Sequence, residues 1–130
     1  LDAFQAALDA LSSNKMLVIA PEGTRSGHGQ LQRGHAGLTM LAIRSGVPIL
    51  PAAFHGSEGI WDNMKHLRRT PCRLEVGQPF TLVNHGRSLS RDVRQQMVDE
   101  VMYQIAALLP QRYRGEYADS SRATTEYLKF

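Results

Sequence analysis

"LVIAPEGTRSGHGQLQRG", Leu17–Gly34, decides how the chain is read. Together with Met16 it begins as an unbroken apolar run rich in β-formers, which predicts a buried parallel strand over Met16–Ala20. Pro21 ends that strand. The loop from Pro21 to Gly34 holds Gly23, Gly27, Gly29 and Gly34, so the backbone can turn tightly and approach a ligand closely. Arg25 is a forked cation able to hold a phosphate through two hydrogen bonds. Thr24 and Ser26 add hydroxyls, and exposed N–H groups in such a turn can form an anion-binding nest. Glu22 has the wrong sign to touch phosphate; it can orient Arg25 or another group, or accept a substrate hydroxyl. The same residues also fit a plain surface turn closed by a Glu22–Arg25 pair.

The flanking sequence reads as alternating elements. Phe4, Leu8 and Leu11 share one face of a helix over Asp2–Ser13, with Asn14 as its stop. Ala36–Ser45 is a second helix, with Leu38, Leu41 and Ala42 inward and Gly46 as a left-handed terminator. Val47–Phe54 reads as an edge or irregular strand because of Pro48 and Pro51. A short helix is expected around Trp61–Leu67, a strand over Cys72–Gly77 and a short strand over Phe80–Leu82. Ser90 caps a long helix with Asp92 in its first turn and a stripe of Val93, Met97, Val101, Ile105 and Leu108, stopped by Pro110. Residues 111–130 have no clean period and are expected to form an irregular tail. This order gives an α/β chain. In such sheets ligands bind beyond the carboxyl ends of strands, where Glu22–Arg25 falls.

Composition narrows the function classes. The chain has 130 residues, one domain or part of one, and opens on Leu1 in helix-like sequence, which reads as a fragment. Its apolar runs are too short to span a bilayer. The lone Cys72 cannot form an internal disulfide, and its alternation with Leu74 and Val76 predicts a buried thiol on a strand. Net charge is +3, with twelve Arg and three Lys. Arg-rich chemistry suits phosphate, carboxylate or an anionic surface. No basic run exceeds Arg68-Arg69, so nucleic acid is not the expected partner. His28 and His55 lack the spacing of a metal site, and none is expected. Gly56-Ser57-Glu58-Gly59 is not a nucleophile elbow, and Gly23–Gly29 lacks the ending of a nucleotide P-loop. Trp61, Met64 and Leu67 beside Lys65, His66, Arg68 and Arg69 have the mixture of a membrane-interface segment, but the first expectation for them is a short packed helix with a solvated face.

The chain resembles the lysophospholipid and glycerol-phosphate acyltransferase family. IAPEGTRS, Ile19–Ser26, is similar to its third motif. GQLQRGHAG, Gly29–Gly37, follows the family's G-x-L-x-x-x-K-x-G pattern, and VPILP, Val47–Pro51, resembles its fourth motif. LLPQRYRGEYAD, Leu108–Asp119, is similar to the close of some bacterial members. The resemblance implies a partial glycerol-phosphate-acyltransferase-like α/β fold, a mixed sheet flanked by helices. It makes residues 1–130 the C-terminal portion of one acyltransferase domain. It also implies that Glu22, Gly23, Thr24 and Arg25 bind the phosphate end of lysophosphatidate or glycerol 3-phosphate, supported by Ser26, His35 and Pro48. The acyl donor would be a thioester of coenzyme A or acyl carrier protein, with no cofactor. The setting would be phospholipid biosynthesis, peripherally on the cytoplasmic side of a membrane.

Two departures qualify the resemblance. The family's first motif is His-x4-Asp, in which His takes the acceptor's proton and Asp orients the ring. Five positions after His28, His35, His55, His66 and His85 stand Arg33, Met40, Ile60, Pro71 and Ser90, so no catalytic residue is expected in this chain. The Gly-rich second motif is missing too. The chain is then either part of a longer enzyme or a degenerate homologue that binds phosphate or polyanions without reacting. In addition, His35 stands where the family shows Lys. A histidine there can titrate near neutral pH and make phosphate affinity rise toward pH 6, or simply hydrogen-bond the loop.

Overall fold

The computed structural model describes residues 2–23 and 28–130. Helix α1, Asp2–Ser12, is rich in Ala and carries Asp2 in its first turn; Asn14 follows it in the left-handed region with φ 58°. It lies on α2, Gly37–Ser45, and the Arg44 guanidinium sits 5.5 Å from the Phe4 ring centre. Leu41 and Ala42 of α2 face inward as expected, joined by Thr39, whose Oγ1 donates to the Ala36 carbonyl at 2.6 Å. Gly46, with φ 66°, closes α2 by donating its N–H to Ala42 O.

The strands form two antiparallel ribbons. Strand β1, Ala52–His55, pairs with β2, Arg73–Val76, and the 56–72 excursion between them contains α3, Ile60–Lys65. Strand β3, Thr81–Leu82, pairs with β4, Leu128–Lys129, near the chain's end, and Ile49 bridges to Phe80. Helices and small antiparallel ribbons are thus interspersed along the chain, compatible with the partial α/β fold expected, although no strand pair is parallel among the described residues.

Two expectations are corrected. Met16–Ala20 is not a buried strand: the segment is exposed, with Val18 at 89%, and both ribbons are built from other residues. A strand is stabilised by the ladder it joins, and an apolar run without one stays open to water however strong its propensity. Cys72 is exposed, because the β1–β2 register begins at His55↔Arg73 and leaves it beyond the ribbon. Leu74 and Val76 are exposed as well. They pair with Phe54 and Ala52 on the ribbon's open face, while Ala53 faces the other way and packs with Leu109 and Tyr113.

Helix α4, Arg91–Ala107, is the spine. Ser90 Oγ accepts from Val93 N at 3.3 Å, as its N-cap position requires. One row, Met97 and Val101, packs with Ala42, Phe80, Leu82 and Tyr127. A second row, Val98, Met102 and Ala106, packs with Tyr117. The expected single stripe is thus half of a helix buried on two sides. Residues 111–130 wrap this spine through three short 3-10 turns, Gln111–Tyr113, Gly115–Tyr117 and Ser120–Arg122, before entering β4.

Glu100 of α4 is 1% exposed and holds the end of that wrap. Its carboxylate accepts from Thr124 Oγ1 at 2.6 Å and from the Glu126 and Tyr127 N–H groups at 2.9 Å each. Arg87 adds bonds to Glu126 and to Tyr127 Oη. Replacing Glu100 with Ala orphans three donors at once, two of them backbone. We expect Glu100→Ala to cost about 3 kcal/mol in urea unfolding and to expose residues 123–130 to proteolysis, with Glu100→Gln intermediate. A loss below about 1 kcal/mol would refute the clamp.

Candidate functional site

The loop after Ala20 is closed at its base from both limbs. Gly23 N donates to Ala20 O at 3.1 Å, and His35 N donates to Pro21 O at 2.8 Å. Glu22 Oε2 accepts from Gln32 N at 2.8 Å. Gly23 has φ 70°, and a Cβ there would stand 2.9 Å from His35 Cδ2. The histidine ring therefore fits only because position 23 lacks a side chain. Of the residues expected at the site, Glu22, Gly23 and His35 meet in this base. Thr24, Arg25 and Ser26 lie outside the described residues. Pro48 sits elsewhere, in a depression it shares with Pro79, Phe80, Thr81 and Phe130. Glu22 spends one carboxylate oxygen on the opposite limb, so its structural part is to brace the loop.

The descending limb is fastened to the wrapped tail. Leu31 N donates to Tyr113 O at 2.9 Å, and Glu116 N donates to Leu31 O at 3.1 Å. Gln30 Nε2 donates to Arg112 O at 3.2 Å. The turn that brings Glu116 to Leu31 requires Gly115: its φ is 50°, and a Cβ would fall 2.1 Å from the Leu31 carbonyl oxygen. Further along, Gly34 N donates to Tyr117 Oη at 2.9 Å, and that hydroxyl donates to Asp99 Oδ1 at 2.9 Å. Gln95 Nε2 reaches the same Asp99 oxygen at 3.0 Å. Burial pushes the Tyr117 pKa up, and the hydrogen bond to Asp99 acts in the same direction.

Tyr113 also ties in the head of the β1–β2 hairpin. Its hydroxyl donates to Glu58 and accepts from Arg112 Nη2 at 2.9 Å, and the His55 ring lies 5.4 Å from its own. The Tyr113 hydroxyl holds the Glu58 carboxyl below its usual range, and the same bond raises the tyrosine. Among the described residues no three His, Cys, Asp or Glu side chains gather as they would around a metal ion.

Sequence reasoning missed these supporting residues, Tyr113, Gly115, Tyr117 and Asp99. For Tyr113, Gly115 and Tyr117 the available signal is the Leu108–Asp119 stretch that contains them; Asp99 lies outside it.

The comparisons with known proteins add one positive result. The family model described as Acyltransferase matches residues 2–55, a stretch that contains IAPEGTRS, GQLQRGHAG and VPILP. The match is consistent with a lysophospholipid or glycerol-phosphate acyltransferase and bears out the resemblance over these residues. No curated protein and no solved structure matches the chain.

Two outcomes follow from the loop's anchoring. Gly23→Ala should cost about 1–2 kcal/mol through its positive φ and displace the His35 ring, measurable as faster amide exchange at Gln32 and His35. Unchanged exchange would show that the base is not braced as described. Tyr117 stays protonated in the fold at pH values where an unfolded tyrosine ionises, so the unfolded chain binds fewer protons there. Stability should therefore fall as pH rises past about 10, and Tyr117→Phe should flatten that alkaline decline. Denaturant midpoints across pH 8–11 test this, and equal slopes in both proteins would refute it.

Proposed function

With residues 2–55 matching the acyltransferase family, we propose that the protein serves transfer of a fatty acyl group to a hydroxyl of lysophosphatidate or glycerol 3-phosphate, in phospholipid biosynthesis. The donor is an acyl thioester of coenzyme A or acyl carrier protein, and the reaction needs no cofactor. The observation that carries this reading is the joint presence of IAPEGTRS and VPILP inside the matched stretch.

In this reading Arg25 holds the acceptor's phosphate, with Thr24 and Ser26 at its side. Gly23 lets the backbone approach, and the Glu22–Gln32 and His35–Pro21 bonds keep the loop shaped before substrate arrives. Fixing the phosphate fixes the free hydroxyl relative to the thioester carbonyl, and such positioning can supply several kcal/mol of rate enhancement. The hydroxyl oxygen attacks the carbonyl carbon, its proton passes to a base, and the thiolate leaves and is protonated. None of the five histidines carries the Asp partner that the family's base uses, so the base and its aspartate come from polypeptide outside these residues. A lipid acceptor places the protein peripherally at the cytoplasmic face of a membrane.

The same missing His-x4-Asp favours a second reading, a phosphate- or polyanion-binding domain without catalysis. Arg25→Ala separates the two. The acyltransferase reading expects affinity for lysophosphatidate to fall about 100-fold while affinity for acyl-coenzyme A holds, as befits loss of a bidentate phosphate contact. A binding module instead loses affinity for polyanions in general, with a steep salt dependence. These 130 residues by themselves should bind acceptor without turnover, and measurable acyl transfer by them would refute an external base.

A further inference from the structure

The excursion between β1 and β2, residues 56–72, closes on itself as a lobe. Its base is pinched where Gly56, with φ 94°, passes the Pro71 carbonyl so closely that a Cβ would fall 2.7 Å from that oxygen. Within it Asn63 acts as a peg: its side chain donates to Thr70 Oγ1 at 3.2 Å, and its carbonyl accepts from Arg68 N at 2.7 Å. Glu58 fastens the near side to Tyr113. This framework buries none of α3.

It instead presents apolar side chains to solvent. Ile60, Trp61 and Met64, at i, i+1 and i+4, lie on one side of α3, and Trp61 is 71% exposed. Leu67 follows in the left-handed region with φ 54°, rare for a branched apolar residue, and is 96% exposed. Nothing in water rewards that arrangement. The surrounding charge is one-sided. Lys65, Arg68, Arg69 and Arg73 are exposed cations, and the one carboxylate between Gly59 and Arg73 is Asp62, 3.8 Å from His66. Apolar side chains including a tryptophan, flanked by cations, match the chemistry of an anionic bilayer surface, where the indole sits at headgroup depth and cations meet phosphate. Among the described residues no helix is long and apolar enough to cross a membrane, so such contact is interfacial.

We infer that the lobe formed by residues 56–72 is the membrane-contact element of this protein, inserting Trp61, Met64 and Leu67 into the interface of a bilayer rich in anionic phospholipid. The inference rests on the peripheral membrane contact proposed above and deepens it; its test is independent of acyl transfer.

Trp61 is the single tryptophan of the chain, so its fluorescence reports the lobe directly. With phosphatidylglycerol–phosphatidylcholine vesicles containing no lysophosphatidate or acyl donor, Trp61 emission should shift to shorter wavelength. Lipids brominated on their acyl chains should quench it, and pure phosphatidylcholine vesicles should do neither. Leu67→Ser with Met64→Ser should weaken vesicle partitioning at least 10-fold. Lys65→Glu with Arg68→Glu and Arg69→Glu should reduce it to background and remove its salt dependence. All five positions are exposed, so unchanged thermal unfolding is the expected control. Four results would overturn the inference: Trp61 emission unmoved by anionic vesicles; variants that partition like the parent; a short RNA duplex that perturbs Trp61 at lower concentration than lipid does; or a blue-shifted Trp61 in buffer that depends on protein concentration, which would assign the lobe to self-association. Phosphate affinity unchanged in Arg25→Ala while Trp61 still enters anionic vesicles would fail the proposed function alone; Arg25-dependent phosphate affinity with Trp61 unmoved by those vesicles would fail this inference alone.

Discussion

The peptide unit of Leu31 is where the loop and the rest of the protein become one object. Its N–H is taken by the Tyr113 carbonyl and its own carbonyl by the Glu116 N–H, so the limb is held from both sides like a rung in a ladder. Two backbone bonds of about 1 kcal/mol each are modest alone. They matter because the segment supplying them is itself fixed: Tyr117 is buried against Val98 and Met102, and Glu100 secures the chain beyond it. Without the tail, the Pro21–His35 loop would keep its own basal bonds and lose its orientation relative to α4.

That dependence explains the unusual character of α4. A helix lying on a sheet needs one apolar face. Here Met97 and Val101 serve the core toward β3 and β4, while Val98, Met102 and Ala106 serve the tail. Gly34 completes the second contact, since a Cβ there would stand 2.8 Å from Met102 and 2.9 Å from Val98. The polar members of the helix are placed to match. Asp99 and Glu100 are adjacent in sequence and serve different clients, one the Tyr117 hydroxyl under the loop and the other the backbone of the last strand.

Most of the elements were legible because their signals are local. Ser90, Gly46 and Asn14 mark helix ends by side-chain or backbone chemistry that needs no partner, and all three do so in the structure. The apolar spacing likewise named Leu41 and Ala42 of α2 and Met97 and Val101 of α4, while the second buried row of α4, Val98, Met102 and Ala106, fell outside the expected stripe. The failures share one physical origin. The composition of Met16–Ala20 and of the strand around Cys72 fits a sheet interior, and composition carries no information about whether a neighbouring strand is there to cover them. At the site, Glu22, Gly23 and His35 are recognisable from one continuous stretch, Pro21–His35. Tyr113, Gly115 and Tyr117 are not, because their role arises from contacts more than eighty residues away, which no periodicity encodes. Thr24, Arg25 and Ser26, the chemical centre of the reading, lie outside the described residues.

Gly115 has a reach far beyond its own turn. Its φ of 50° and its contact with the Leu31 carbonyl leave room for a hydrogen atom and nothing larger. A chimaera that grafts the loop of one homologue onto the C-terminal segment of another would therefore succeed or fail on whether the two pieces evolved together. The useful unit for transplantation is the loop with its distant glycine, and a library that diversifies one while holding the other constant samples mostly dead combinations.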